Sequence, residues 1–338
     1  GNDASLEAWF PGLPYAWIDV ADPNNPSCIN LMATGMRLAD RIHTVSPSYA
    51  EEIAFPSREP HFYGAEGLEQ VVTHVRDEGR LVGILNGCPE LEPIKDASKG
   101  AQPWTRLLQR ELIHWTAGLD ALPARHFAAF EKLRLVQEQS PAPKTILTTV
   151  GRAVDQKMRL LRENGSNGRT ALEQILETLG PDGLWIVLAA GDPGYESHFA
   201  RAAASHDNFI FLNGYSDISA RLLYAKGDLF IMPSSYEPCG ISQLLAMRNS
   251  TPCVVHGVGG LRDTVKDKID GFVFQGWTVA EQVDRLAATT AEAIAVQRQA
   301  GRQWQEMCRR AAEARFEWST TARHYRKQLY EYQPAKKK

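Results

Sequence analysis

From about residue 144 onward, six short apolar runs alternate with amphipathic stretches of helical length. The runs are "KTILTTV", "LWIVLAAG", "NFIFLNG", "LFIMPS", "PCVVHG" and "GFVFQG". Strand and helix alternating in this way imply a parallel sheet covered by helices on its faces, an α/β fold. In open sheets of that kind ligands bind beyond the carboxyl ends of the strands, so the residues just after each run are where chemistry is expected.

The preceding chain is less complete. "RIHTVS" and "RLVGILNG" read as strands and "INLMATGMRLAD" and "PSYAEEI" as helices, too few strands for a full doubly wound domain. "EQSPAPKT", at residues 138 to 145, reads as a linker, residues 279 to 315 as helical, and "FEWSTTARHYRKQLYEY" as an amphipathic end. The expected division is a partial Rossmann-like domain over 1–143, a complete one over 144–315, and a carboxyl-terminal crossing helix and tail over 316–338. A chain of 338 residues fits about two domains.

Charge narrows the partners. Lys and Arg total 37 against 40 Asp and Glu, and the basic block Lys336, Lys337 and Lys338 reads as a solvated tail, so neither a nucleic acid nor an anionic membrane is an expected partner. The beginning "GNDASLEAWFPGLP" has no basic start followed by an apolar core, and runs such as "LWIVLAA" are too short to cross a bilayer. Cys28, Cys88, Cys239, Cys253 and Cys308 are odd in number, scattered and without a C-x-x-C pair, which argues against a disulfide framework and a zinc site. A reducing, cytoplasmic setting is expected.

Neither G-x-G-x-x-G after a strand nor G-x-x-x-x-G-K-[ST] occurs. Three strand-end features remain. In "TVGRAVDQK", Arg152 and Lys157 stand at the end of the first run of this half, where two cations suit a diphosphate but also read as ordinary surface charges. In "YEPCGISQ", Pro238 suits a first helical turn, and Glu237 serves either as a cap or as a carboxylate that grips sugar hydroxyls and stabilises charge on an anomeric carbon. Cys239 reads first as a packing residue. In "HGVGGLRDTV", residues 256 to 265, the glycines let backbone N–H groups approach an anion, or form a mere turn. His256 reads as structural.

Taken together, "GDLFIMPSSYEPCGISQLLAM" and "GVGGLRDTV" resemble the carboxyl-terminal half of bacterial glycogen synthases and plant starch synthases, with "ADRIHTVSPSYAEEI", "FYGAEGLE" and "GILNG" resembling later motifs of that family's amino-terminal domain. The resemblance implies a GT-B-like architecture and a retaining glucosyltransferase that moves glucose from ADP-glucose to the nonreducing end of an α-1,4-glucan. It also implies that Arg152 and Lys157 hold the diphosphate and that Glu237, Cys239 and Gly240 line the glucose site. Ile241 and Ser242 would meet the distal phosphate, Tyr215 in "LNGYSD" would pack on adenine, and Gly259, Gly260 and Thr264 belong to the same substrate-binding set. No metal or other cofactor is implied, and the stroma of a plastid replaces the cytoplasm if the source is a plant.

The sequence departs from the family at Ala153, Met158 and Val258, and in the form of "NGCPELEP". Leu245 stands where related GT-B families carry a second Glu, which agrees with the glycogen synthase branch. The family's Lys-x-Gly-Gly-Leu loop does not occur, so the chain is expected to begin midway through the first domain, to expose apolar surface that invites self-association, and to be inactive alone if truncated. A GT-B enzyme with another nucleotide-sugar donor and a noncatalytic glucan-binding paralogue are the alternatives. Trp115, Trp277 and Trp318 would supply glucan-binding surface, although core or interface is the commoner place for tryptophan.

Overall fold

The computed structural model describes residues 2–57, 62, 64–89 and 103–331. The Lys336–Lys338 tail and residues 90–93 of "NGCPELEP" lie outside the described residues. The chain divides into two compact units, Gly1–Gly87 with Phe316–Lys338, and Cys88–Arg315.

The larger unit is built on six parallel strands: β3 (Thr145–Ala153), β4 (Gly183–Gly191), β5 (Phe209–Leu212), β6 (Leu229–Met232), β7 (Cys253–His256) and β8 (Gly271–Phe274). Each expected run forms one of them. Their order across the sheet is β5-β4-β3-β6-β7-β8, so the chain starts at the centre, moves outward twice, then returns to the other side of β3. The reversal between β3 and β6 is a topological switch point, the place where crossover connections leave the carboxyl edge uncovered.

The strands are largely apolar because both faces are buried. On one face Leu147, Trp185, Val187, Phe209, Phe211 and Ile231 pack with Leu172, Ile175, Phe199, Leu286 and Ile294 from covering helices. On the other, Leu184, Ile186, Leu188, Ile210, Phe230 and Val255 pack with Leu108, Leu112, Leu133, Leu223 and Met247. Successive residues therefore serve opposite cores, the period of two hidden inside largely apolar runs. Leu108, Leu112 and Leu133 come from the helices Pro103–Thr116 and Ala124–Glu138, which the sequence places before a boundary at 143/144. They are counted with the larger unit because their apolar stripes close the second face of its sheet.

Buried threonines in β3 are matched in hydrogen bonding. Trp185 Nε1 donates to Thr149 Oγ1 at 3.1 Å, and Thr149 Oγ1 donates to the Ile231 carbonyl at 3.0 Å, a relay across β4, β3 and β6. Thr148 Oγ1 donates to the Leu223 carbonyl at 3.0 Å.

The smaller unit has two described strands, β1 (Ile42–Thr44) and β2 (Leu81–Gly83), paired in parallel with Ile42 opposite Leu81. Ala33, Val71 and Val75 pack beside them, and Arg80 donates to the Met36 and Ala39 carbonyls that end the helix Leu31–Leu38. The helix Trp318–Tyr325 belongs to this unit: Thr321 Oγ1 donates to the Leu85 carbonyl at 3.0 Å, and a Cβ on Gly87 would lie 2.6 Å from Trp318 N. Among the described residues no helix is long and apolar enough to cross a membrane. None of the five cysteines is joined in a disulfide.

Replacing the fully buried Trp185 with Ala removes a large ring and the donor of the relay. It is expected to destabilise the larger unit by about 3–5 kcal/mol, read as a lower urea midpoint in the unfolding transition of its helices.

Candidate functional site

The switch point opens because β3 outlasts its neighbour. β3 pairs with β6 at Leu147–Leu229 and Thr148–Phe230, yet stays paired with β4 as far as Ala153–Gly191. Beyond those pairs the two chains part, β3 into the helix Asp155–Arg162 and β6 into the segment 233–241 that precedes the helix Ser242–Arg248. Gln156 spans the opening. Its carbonyl accepts from Ser235 N at 2.8 Å, its side-chain Nε2 donates to the Tyr236 carbonyl at 3.2 Å, and its Oε1 accepts from Arg152 Nη2 at 3.3 Å. Arg152 itself is exposed at the end of β3.

In the first turn of that helix, Lys157 places its ammonium directly against Glu237 Oε2 in a hydrogen-bonded ion pair. The side chains are 19% and 7% exposed, so the pair lies largely out of water. Glu237 Oε2 also accepts from Ser234 Oγ at 3.2 Å. An ion pair at this depth is held by geometry and additional hydrogen bonds, since desolvation offsets much of the Coulomb attraction.

The Ser234 carbonyl is fixed in turn by His256, whose Nδ1 lies 3.0 Å from it. A carbonyl only accepts, so Nδ1 carries the proton. The ring stacks on Phe274 with centroids 4.9 Å apart and planes 3° apart. Burial pushes the imidazole pKa down to about 4, partly opposed by the Ser234 and Ser235 backbone, and His256 is therefore neutral at pH 7.

Two loops form the opposite wall. Gly240 has φ +74, a conformation strained for other residues, and its turn is fastened by Gln243, whose Nε2 donates to the Cys239 carbonyl (3.1 Å), the Gly240 carbonyl (3.2 Å) and Thr264 Oγ1 (3.1 Å). Thr264 lies on the helix Gly259–Thr264, so one buried amide ties both strand-end loops together. A Cβ on Gly260 would lie 2.3 Å from the Cys239 carbonyl oxygen, and Gly260 N donates to the Glu237 carbonyl at 3.0 Å. The paired glycines thus let the two backbones touch. Ser235 Oγ and Gln243 Oε1 are buried here with no partner among the described residues.

Of the residues singled out in the sequence, Lys157, Glu237, Cys239, Gly240, Gly260 and Thr264 are joined by direct contacts, and Arg152 joins them through Gln156. Gly259 begins its helix beside Gly260; Ile241 and Ser242 stand at the start of the helix Ser242–Arg248, with Ser242 Oγ accepting from Tyr224 Oη at 3.1 Å. Tyr215, 75% exposed after β5, is outside this network. Trp115 packs against Gly214, and Trp318 lies in the smaller unit. Gln156, Ser234 and Gln243 escaped the sequence reading. The signal available was position, since Gln156 precedes Lys157, Ser234 is three residues before Glu237, and Gln243 is three after Gly240. Among the described residues no cluster of three His, Cys, Asp or Glu side chains is placed to hold a metal ion. A groove of about 1060 Å³, lined by Lys132, Arg169, Gly183 and Asn208, sits at the amino ends of β4 and β5, away from this chemistry.

Residues 162–307 match the family model for glycosyl transferases group 1, and residues 1–74 the starch synthase catalytic domain. The glycogen synthase of Deinococcus radiodurans is 35% identical over 297 residues, covering 88% of this chain and 58% of the relative. That of Streptococcus sanguinis is 33% identical over 318 residues, covering 88% and 57%. The chain thus spans less than two thirds of the length of these relatives. The catalytic domain of starch synthase IV from Arabidopsis thaliana, solved bound to ADP and acarbose, superposes with a TM-score of 0.65 at 24% identity, covering 92% of this chain and 59% of that one. The fold is accordingly that of GT-B glycosyltransferases.

Below pH 6.5 the unfolded chain protonates His256 while the folded one resists until about pH 4, so this group's contribution to stability is full above that window and is lost as pH falls through it. Over the window about 3 kcal/mol is at stake. His256→Asn, which keeps a donor and does not titrate, is expected to flatten that part of the pH dependence of urea unfolding.

Proposed function

We propose that the chain belongs to the family of bacterial glycogen synthases and plant starch synthases, and that the crevice between β3 and β6 binds ADP-glucose and donates its glucosyl unit to the nonreducing end of an α-1,4-glucan with retention. The observation that carries this reading is the meeting of Lys157 and Glu237 at the switch point, with Arg152 tethered beside them through Gln156. The ADP bound by the starch synthase IV structure supports the choice of nucleotide.

In this reading Arg152 and Lys157 neutralise the charge that grows on the departing diphosphate. Glu237, steered by Ser234, faces the sugar and stabilises the oxocarbenium-like charge at its anomeric carbon. Cys239 and Gly240 shape the sugar pocket, while the backbone at Ile241 and Ser242 meets the distal phosphate. Gly259, Gly260 and Thr264 back that wall, and the exposed ring of Tyr215 stacks on the adenine. Because side chains carry the charge, no metal is assigned a role, and turnover is expected to persist in excess EDTA.

Before donor binds, Glu237 occupies Lys157, so a diphosphate must displace or share that partner. Glu237→Gln removes both the competitor and a repulsive charge. It is expected to bind ADP at least as tightly as the unaltered chain by calorimetry while glucosyl transfer from ADP-glucose to a glucan primer falls by about 10²-fold or more. Arg152→Ala is expected to weaken ADP binding roughly 10–100-fold. Transfer undiminished in Glu237→Gln would refute the site assignment, and preferential binding of UDP-glucose in competition would reassign the donor.

A further inference from the structure

Of the three tryptophans raised by the sequence, Trp277 alone projects almost wholly into solvent, with 93% of its surface exposed. An indole in water forgoes a large burial gain, and tryptophan is on average among the more buried residues. Its backbone, by contrast, is tightly fixed. Trp277 N donates to Glu281 Oε2 at 2.8 Å, and Thr278 and Glu281 form a reciprocal cap at the start of the helix Val279–Gln299. Gln282 Nε2 donates to the Gly276 carbonyl at 3.1 Å, and a Cβ on Gly276 would lie 2.8 Å from Gln282 N. The ring is therefore presented from a rigid turn, which lowers the ordering cost of binding anything to it.

The turn follows β8 and so stands on the carboxyl edge of the sheet, the same edge as the crevice. β8 is two strand spacings from β6, about 10 Å. The two places are also connected, because the side chain of Gln275 lies over Gly257, where an added Cβ would be 2.7 Å from Gln275 Nε2. Gly257 opens the glycine turn that packs against Cys239.

Gln275 and Thr278, near Trp277 in the chain, and Glu281, bonded to its backbone, are polar and exposed. A single ring among hydrogen-bonding groups is a poor nucleus for a protein interface, which buries about 800 Å² per partner around clustered apolar anchors. It suits a pyranose, which offers one small C–H face to an aromatic ring and hydroxyls to the neighbours. We infer that Trp277 is a stacking platform for the α-glucan acceptor, engaging sugar residues away from the reacting end. The inference rests on the glucan-acceptor reading proposed above.

The test is calorimetric titration of the full chain with maltoheptaose and, separately, with ADP. Trp277→Ala is expected to weaken maltoheptaose binding about tenfold, equivalent to about 1.4 kcal/mol, and Trp277→Phe to retain most of the affinity, with ADP binding unchanged in both. Maltoheptaose bound equally by Trp277→Ala and the unaltered chain would overturn the inference alone. An unaltered chain that binds ADP but no maltoheptaose would overturn it together with the acceptor reading. Self-association lost in Trp277→Ala with glucan binding intact would place the indole in a protein contact and also overturn it.

Discussion

In a sheet whose strands all run the same way, every connection must return across a face, and every strand ends at one edge. That constraint governs the larger unit. Largely apolar strands follow from it, since helices cover both faces, and so does the concentration of polar and glycine residues at the carboxyl ends. The reversal of strand order beside β3 then decides which of those ends form a crevice, and Arg152, Lys157 and Glu237 all stand next to it.

Within the crevice the charged groups are positioned by neutral ones. Glu237 has Ser234 on the same oxygen that meets Lys157; Ser234 has a neutral imidazole on its carbonyl; Arg152 leans on an amide. Amides and hydroxyls are well suited to this because they fix direction without adding charge to a poorly solvated place, where an unpaired ion would be costly. The pattern is that of a site whose ionic groups are few and whose orientation is set by their surroundings.

The strands of the larger unit were legible because burial on both faces leaves long apolar runs bounded by turn residues, as in "LWIVLAAG" and "PCVVHG". Their order was not, because nothing local in a run says which neighbour it will choose. The helices Pro103–Thr116 and Ala124–Glu138 were separated from the sheet they cover because a proline-rich connection after Glu138 looks like a domain boundary, whereas Leu108, Leu112 and Leu133 reach their partners only in three dimensions. In the crevice, charged residues and glycines stood out by type. Gln156 and Gln243 did not, since a glutamine that fastens two backbones looks in sequence like any other glutamine.

The contact between Gly260 and Cys239 has a mechanical consequence. With no space for even a methyl group between them, and with Gln243 bolted to both sides, the loops after β6 and β7 form a single rigid jaw. A displacement at either loop is transmitted to Glu237, whose carbonyl holds Gly260 N. Any evolutionary or engineered change in the shape of this wall must therefore remodel both loops in concert, because neither can be exchanged as an independent module.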